Sequence, residues 1–133
     1  MVDGNGIMHT REFGLASHLG VLYGVPTIGC AKTPFAVDGL TKTSILDQVE
    51  KECPNGGDHT LLIGDSGKTW GAALLPTGLS SQPLFISIGH RVCLSTALEV
   101  TKLTMSDFKI PEPIRQADLR GRDLVRKLEK NSN

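Results

Sequence analysis

Val2-Asp3-Gly4-Asn5-Gly6-Ile7-Met8-His9, followed by a helical pattern from about Arg11 to Tyr23, decides the fold of this chain. An acidic residue at the end of an apolar strand, then a glycine-rich turn, then an amphipathic helix places a carboxylate at the rim of an α/β sheet, where ligands collect. Asp3 is therefore expected to point into a cleft. Gly4 and Gly6 offer positive φ and close backbone approach, so that a flat ligand or a phosphate can lie against the main chain. Only Met1 and Val2 precede the aspartate, so most of the strand that should carry it is missing from the sequence.

Outward from this stretch the elements alternate. Phe13, Ala16 and Leu19, with Leu15 and Leu22 nearby, recur at three- and four-residue steps and predict a helix packed on a sheet. Gly24 is placed to cap its C-terminus. Val25 to Ala31 is a short β-branched run ending at Lys32, read as a strand parallel to the one ending at Asp3. A right-handed βαβ unit then brings Asp3 and Lys32 to the same sheet edge. A helical piece is expected over Ser44 to Lys51, and Pro54-Asn55-Gly56-Gly57 is a loop. His59 to Ile63 and Lys68 to Leu75, around Gly64-Asp65-Ser66-Gly67, form a hairpin. A further strand, Pro83 to Ile88, ends at Gly89-His90-Arg91, and Leu94, Ala97, Leu98, Thr101 and Met105 then share one helix face. Pro113 to Lys130 reads as a charged helical pair hinged near Gly121.

The 133 residues make one domain with a modest core. Fourteen basic residues balance fourteen acidic ones, so no global field draws the chain to polyanions and any such site is local. Three widely spaced cysteines, Cys30, Cys53 and Cys93, suit a reducing compartment. With no membrane-length apolar run and no signal peptide, the expected setting is intracellular, in the cytoplasm or nucleus and away from membranes.

Two phosphate-binding signatures fail: the third glycine of a dinucleotide fingerprint falls at His9, and the first glycine of a phosphate loop falls at Leu62. Cys53 and His59 lack the partners for a zinc site. Among the histidines, His18 reads as structural and His59 as solvated. His9 stands at the mouth of the first helix near Asp3. His90, after a strand and a glycine, suits a functional role and a capping role equally. Asp3, His9, Lys32 and His90 all fall at the same expected end of adjacent elements. One carboxylate, one ammonium and two imidazoles there suggest a divalent metal acting on a phosphate. Such a site needs Asp3, Lys32 and His90 to converge on one ion.

The segment from Val2 to Val21, with Asp3, His9, Arg11 and Phe13-Gly14-Leu15-Ala16-Ser17-His18-Leu19-Gly20, resembles a conserved block of endonuclease V, the inosine-directed nuclease with a ribonuclease H-like fold. The likeness continues through Pro26 to Lys32, Gly64 to Gly67, Pro83 to Arg91 and Ile110 to Asp118, in family order along nearly the whole chain. It implies an α/β fold with a mixed sheet and flanking helices, here an incomplete ribonuclease H-like domain over residues 1–133 whose first strands are missing. It implies Asp3 as a ligand for Mg2+, His90 at the metal centre, Lys32 against charge developing on the phosphate, and His9 beside the substrate strand. Gly4 and Gly14 fall where the turned-out hypoxanthine packs on main chain, with Lys32 alongside.

A complete family member has an earlier half with another metal-binding aspartate, a glutamate and a Tyr-Ile-Pro-Gly type wedge, none of which is in this sequence. Cys93 and Ser95 stand where relatives often show Ser and Glu, which weakens a capping box; Ile88 stands where many have proline. Two functions compete. One is a metal-dependent endonuclease cutting a phosphodiester near inosine in single-stranded RNA or DNA, in repair or inosine-RNA processing. The alternative is a catalytically silent fragment that at most binds nucleic acid or protein. Oligomeric state is left open.

Overall fold

The computed structural model describes residues 1–78 and 82–131. In chain order the elements are β1 (Val2–Asp3), α1 (Leu15–Tyr23), β2 (Thr27–Ala31), α2 (Lys42–Glu52), β3 (His59–Ile63), β4 (Thr69–Leu74), β5 (Leu84–His90), α3 (Leu94–Thr104) and α4 (Glu112–Asn131). The strands form one mixed sheet in the order β1-β2-β5-β4-β3. β1 runs parallel to β2, with Asp3 opposite Cys30, whereas β2–β5, β5–β4 and β4–β3 are antiparallel. This is the expected α/β architecture with flanking helices, including the βαβ unit and the hairpin.

Side chains alternate across the sheet and divide the core in two. One face carries Met8, Ala31, Leu62, Trp70, Ala73 and Phe85 with Ile45 and Val49 of α2. The other carries Ile28, Cys30, Ala72 and Ile86 with Ala97 and Leu98 of α3 and Ile114 of α4. β2 is buried along its whole length, as an interior strand covered on both faces should be. The Thr41 and Ser44 side chains close a reciprocal capping box at the start of α2, so this helix begins two residues before the predicted Ser44.

Three expectations are corrected. α1 begins at Leu15 instead of about Arg11, because residues 5–13 form a loop lying on the sheet and Glu12 takes a φ of 53°. Its packed face is made of Ala16, Ser17 and Gly20, while Phe13, Leu15 and Leu22 are exposed. Small residues are needed there, since a Cβ on Gly20 would overlap His90 and Thr27. The C-terminal segment is one continuous helix through Gly121, with no hinge; of its residues Ile114 is buried, whereas Leu119, Leu124, Val125 and Leu128 face solvent.

The loop after β1 is stitched to the sheet by main chain. Gly4 N–H donates to Cys30 O (3.2 Å), Ile7 N–H to Ile88 O (2.8 Å) and Gly6 N–H to Ser87 Oγ (2.8 Å). Neither Gly4 nor Gly6 is among the positive-φ glycines, so torsion is not the reason for them. Close approach is: a Cβ on Gly6 would overlap the Ile88 carbonyl. Gly24 does adopt the left-handed C-cap, with φ 64°. No helix is long and apolar enough among the described residues to cross a membrane.

The three cysteines are free. Burial, reinforced by the charge of Asp3, pushes the Cys30 thiol up to about 12. Cys93, exposed at the N-cap of α3, has its thiol lowered to about 7 by hydrogen bonds from Ser95 and Thr96.

Gly6→Ala is expected to destabilise the fold by roughly 1–3 kcal/mol through overpacking. Gly121→Ala, at a helix position where an added Cβ meets nothing within 4 Å, should stabilise it by about 0.5–1 kcal/mol. Denaturant unfolding of the two variants tests both signs. Iodoacetamide should alkylate Cys93 far ahead of Cys30 and Cys53, at a rate rising as pH passes about 7; peptide mapping that finds Cys30 labelled first would contradict this.

Candidate active site at the rim of β1 and β2

Asp3 ends β1 and Lys32 follows the last residue of β2, so the parallel pairing sets them side by side. Lys32 Nζ donates to Asp3 Oδ2 at 3.1 Å, with both side chains about half exposed (48% each). At that exposure the pair contributes at most about 1 kcal/mol to stability, so its significance lies in charge placement. His9 lies in the loop after β1 and packs on Phe35, three residues beyond Lys32. Its ring meets the Phe35 ring edge-on at 4.5 Å, and its Nδ1 accepts from the Arg11 N–H at 3.1 Å. Asn5, in the same loop, is buried and donates from Nδ2 to Thr33 O (3.3 Å), while its Oδ1 has no hydrogen-bond partner among the described residues.

His90 does not join them. Because β5 runs antiparallel to β2, His90 pairs with Thr27, at the end of β2 away from Lys32, and its Cβ packs against Gly20 of α1. The expected convergence of Asp3, Lys32 and His90 on one ion is therefore overturned: a strand's C-terminus lies at the opposite rim from its antiparallel neighbour's. His18 is exposed on α1, 6.0 Å from the Phe13 ring. His59 begins β3, with Nδ1 3.1 Å from Lys102 Nζ; burial and that ammonium hold its pKa below the ordinary histidine value.

The partner that Asp3 does find is Asp118. Pro111 and Ile114 are buried and fix the first turn of α4 to the sheet, and Asp118 is one helical turn beyond Ile114, on nearly the same side. Asp3 and Asp118 line one cavity of about 190 Å³ together with Met1, Pro113, Ile114 and Ala117. Arg122, one further turn along, reaches both Asp118 oxygens through Nε (3.2 Å) and Nη2. In the sequence Asp118 stands out only as the last residue of a resembling block. The signal that finds it is its spacing from an apolar helix anchor, four residues after Ile114.

The arrangement thus holds two carboxylates, each tied to one cation, at an open cavity on a sheet edge. Hard oxygen donors of this kind suit Mg2+, which keeps several waters and shares its shell with substrate phosphates. Among the described residues no three His, Cys, Asp or Glu side chains gather closely enough to enclose a metal. Gly14, expected beside a bound base, has a reason in the fold itself: a Cβ there would overlap the Asn5 and Gly6 carbonyls. A Cβ on Gly4 would only touch Leu15.

Comparison with known proteins gives a consistent result. The profile of the endonuclease V family matches residues 1–119. Endonuclease V of Mus musculus is 46% identical over 96% of this chain and 37% of that protein; the Homo sapiens protein is 44% identical over 96% of this chain and 45% of its own length. The chain thus spans under half the length of these two relatives. Among solved structures, the catalytic domain of human endonuclease V superposes with a TM-score of 0.90 at 44% identity, covering 97% of this chain and 52% of that one. The endonuclease V of Ciona intestinalis, solved with a DNA containing an inosine, gives 0.87 at 36% identity, covering 95% and 53%. On its sequence and its fold alike, this chain belongs to the endonuclease V family.

Proposed function

We propose that this chain carries part of the active centre of an inosine-directed endonuclease, acting on a phosphodiester near inosine in a single strand of RNA or DNA. The observation that supports it most directly is the cavity shared by Asp3 and Asp118, with Lys32 and Arg122 as their counter-charges. In this proposal Asp3 and Asp118 hold Mg2+ by their carboxylate oxygens. Bound there, the ion would supply Lewis acidity toward a phosphate.

The remaining roles belong to the chain's own groups. Lys32, beside Asp3 at the rim, would set its ammonium against the phosphate, where charge grows during displacement. His9 keeps Nε2 for the substrate strand, since Nδ1 is occupied by the Arg11 amide. The main chain around Gly4 and Gly14 receives the turned-out base in this proposal. No role falls to His90, which lies at the other rim. A cytoplasmic or nuclear setting accompanies this proposal.

A second function, binding without cutting, is favoured by one observation: two carboxylates, with no third His, Cys, Asp or Glu beside them among the described residues, leave an ion held weakly. The chain alone, given Mg2+ and a single-stranded oligonucleotide with one inosine, is expected to bind it in preference to the inosine-free strand and to cut it little or not at all. Cutting at the rate of a full-length relative would overturn the need for further ligands. Asp118→Ala and Asp3→Ala should each abolish the gain in inosine-strand affinity that Mg2+ brings, measured by fluorescence anisotropy. An unchanged Mg2+ response in either variant would remove that residue from the metal site.

A further inference from the structure

From Asp118 a row of cations runs outward along α4. Arg122, Arg126 and Lys130 follow Asp118 at successive four-residue steps, so each stands about 6 Å further along the axis and about 40° further round the helix than the last, a slow spiral along α4. Arg122 is bound to Asp118, whereas Arg126 and Lys130 make no ion pair among the described residues. The carboxylates near the row are Asp118 at its head, Asp123, which is engaged by Lys127 at 2.8 Å, and Glu129 near its far end. The row therefore keeps a net positive charge in a chain whose total is zero. The profile match ends at residue 119, between Asp118 and the first cation of the row.

We infer that this row is a track for the phosphates of a single nucleic-acid strand leaving the Asp3–Asp118 cavity, an inference that rests on the function proposed above. Charge complementarity and continuity with the cavity both favour a strand: the row starts at a cavity carboxylate and is pitched on the scale of successive phosphates. Cations so spaced bind the backbone without reading bases. Leu124 and Leu128 lie on a different side of α4 from Arg126 and Lys130, whereas Val125 shares a shallow cavity with Asp118, Gly121, Arg122 and Arg126 and flanks the start of the row. Binding here adds affinity and fixes the direction of the strand, while discrimination of inosine stays at the cavity.

The test uses the whole chain and fluorescence anisotropy with short single-stranded oligonucleotides, with and without one inosine, over a range of salt. The double variant Arg126→Glu/Lys130→Glu should weaken both oligonucleotides about tenfold or more. It should flatten the plot of log K against log salt by about 1.4, or about 0.7 for each phosphate no longer neutralised. The ratio between the two oligonucleotides should not move, and Arg126→Lys/Lys130→Arg should bind as the native chain does. Circular dichroism checks that α4 persists; if the reversals unfold it, the neutral pair Arg126→Gln/Lys130→Gln must show the same trend at smaller size. Unchanged affinity and slope, or no binding of either oligonucleotide by the native chain at low salt, overturns the track. So does binding to anionic phospholipid vesicles that Leu124→Ser/Leu128→Ser removes while the charge reversals leave strand binding intact. If the native chain shows no inosine preference and the reversals still weaken both strands, the inosine-directed function fails and the track stands.

Discussion

The main-chain contact between the loop after β1 and the sheet beneath it is the constraint on which the rest depends. Gly6 presses on the Ile88 carbonyl, Gly29 leaves room for Gly6, and Gly14 leaves room for the Asn5 and Gly6 carbonyls. Three glycines from three segments let polypeptide backbone pack where side chains would hold it apart. The amides of Gly4, Gly6 and Ile7 are thereby paired with Cys30, Ser87 and Ile88, which holds the carboxylate of Asp3 at the rim and starts α1 at Leu15. A loop with fewer hydrogen bonds to the sheet would leave β1, two residues long, without an anchor on its C-terminal side.

Around that anchor the electrostatics follow a simple arrangement. Two carboxylates face one cavity, and each has a cation beside it: Lys32 from the end of β2 and Arg122 from the next turn of α4. These local pairings keep the like charges from opposing each other when nothing else is bound. They also place one cation within reach of each carboxylate at the mouth of the cavity. Both pairs are exposed, so each contributes little to stability.

Much of this is legible from local pattern. The strand-turn-helix at Asp3, the βαβ unit that brings Lys32 beside it, the Gly24 cap and the hairpin around Gly64 to Gly67 all follow from neighbours in sequence. Two features do not, for different reasons. Sequence pattern sends His90 to the wrong rim because a strand's hydrophobic pattern is the same whichever way it runs, and direction is fixed only by pairing with β2. Asp118 escapes notice because its partner Asp3 is far away in sequence, and only the packing of Ile114 turns that side of α4 toward β1. The inward face of α1 cannot be found by counting large apolar residues, since the closeness of helix and sheet admits only Ala16, Ser17 and Gly20.

β1 has a consequence for motion. Its two residues pair with β2 as their one neighbouring strand among the described residues, so releasing Asp3 requires breaking few hydrogen bonds and uncovering little apolar surface. Such an edge opens with a free energy far below that of global unfolding, and its amides should exchange with solvent long before those of β2 or β5. A ligand held between Asp3 and Asp118 would therefore also act as a clamp that slows this local fraying.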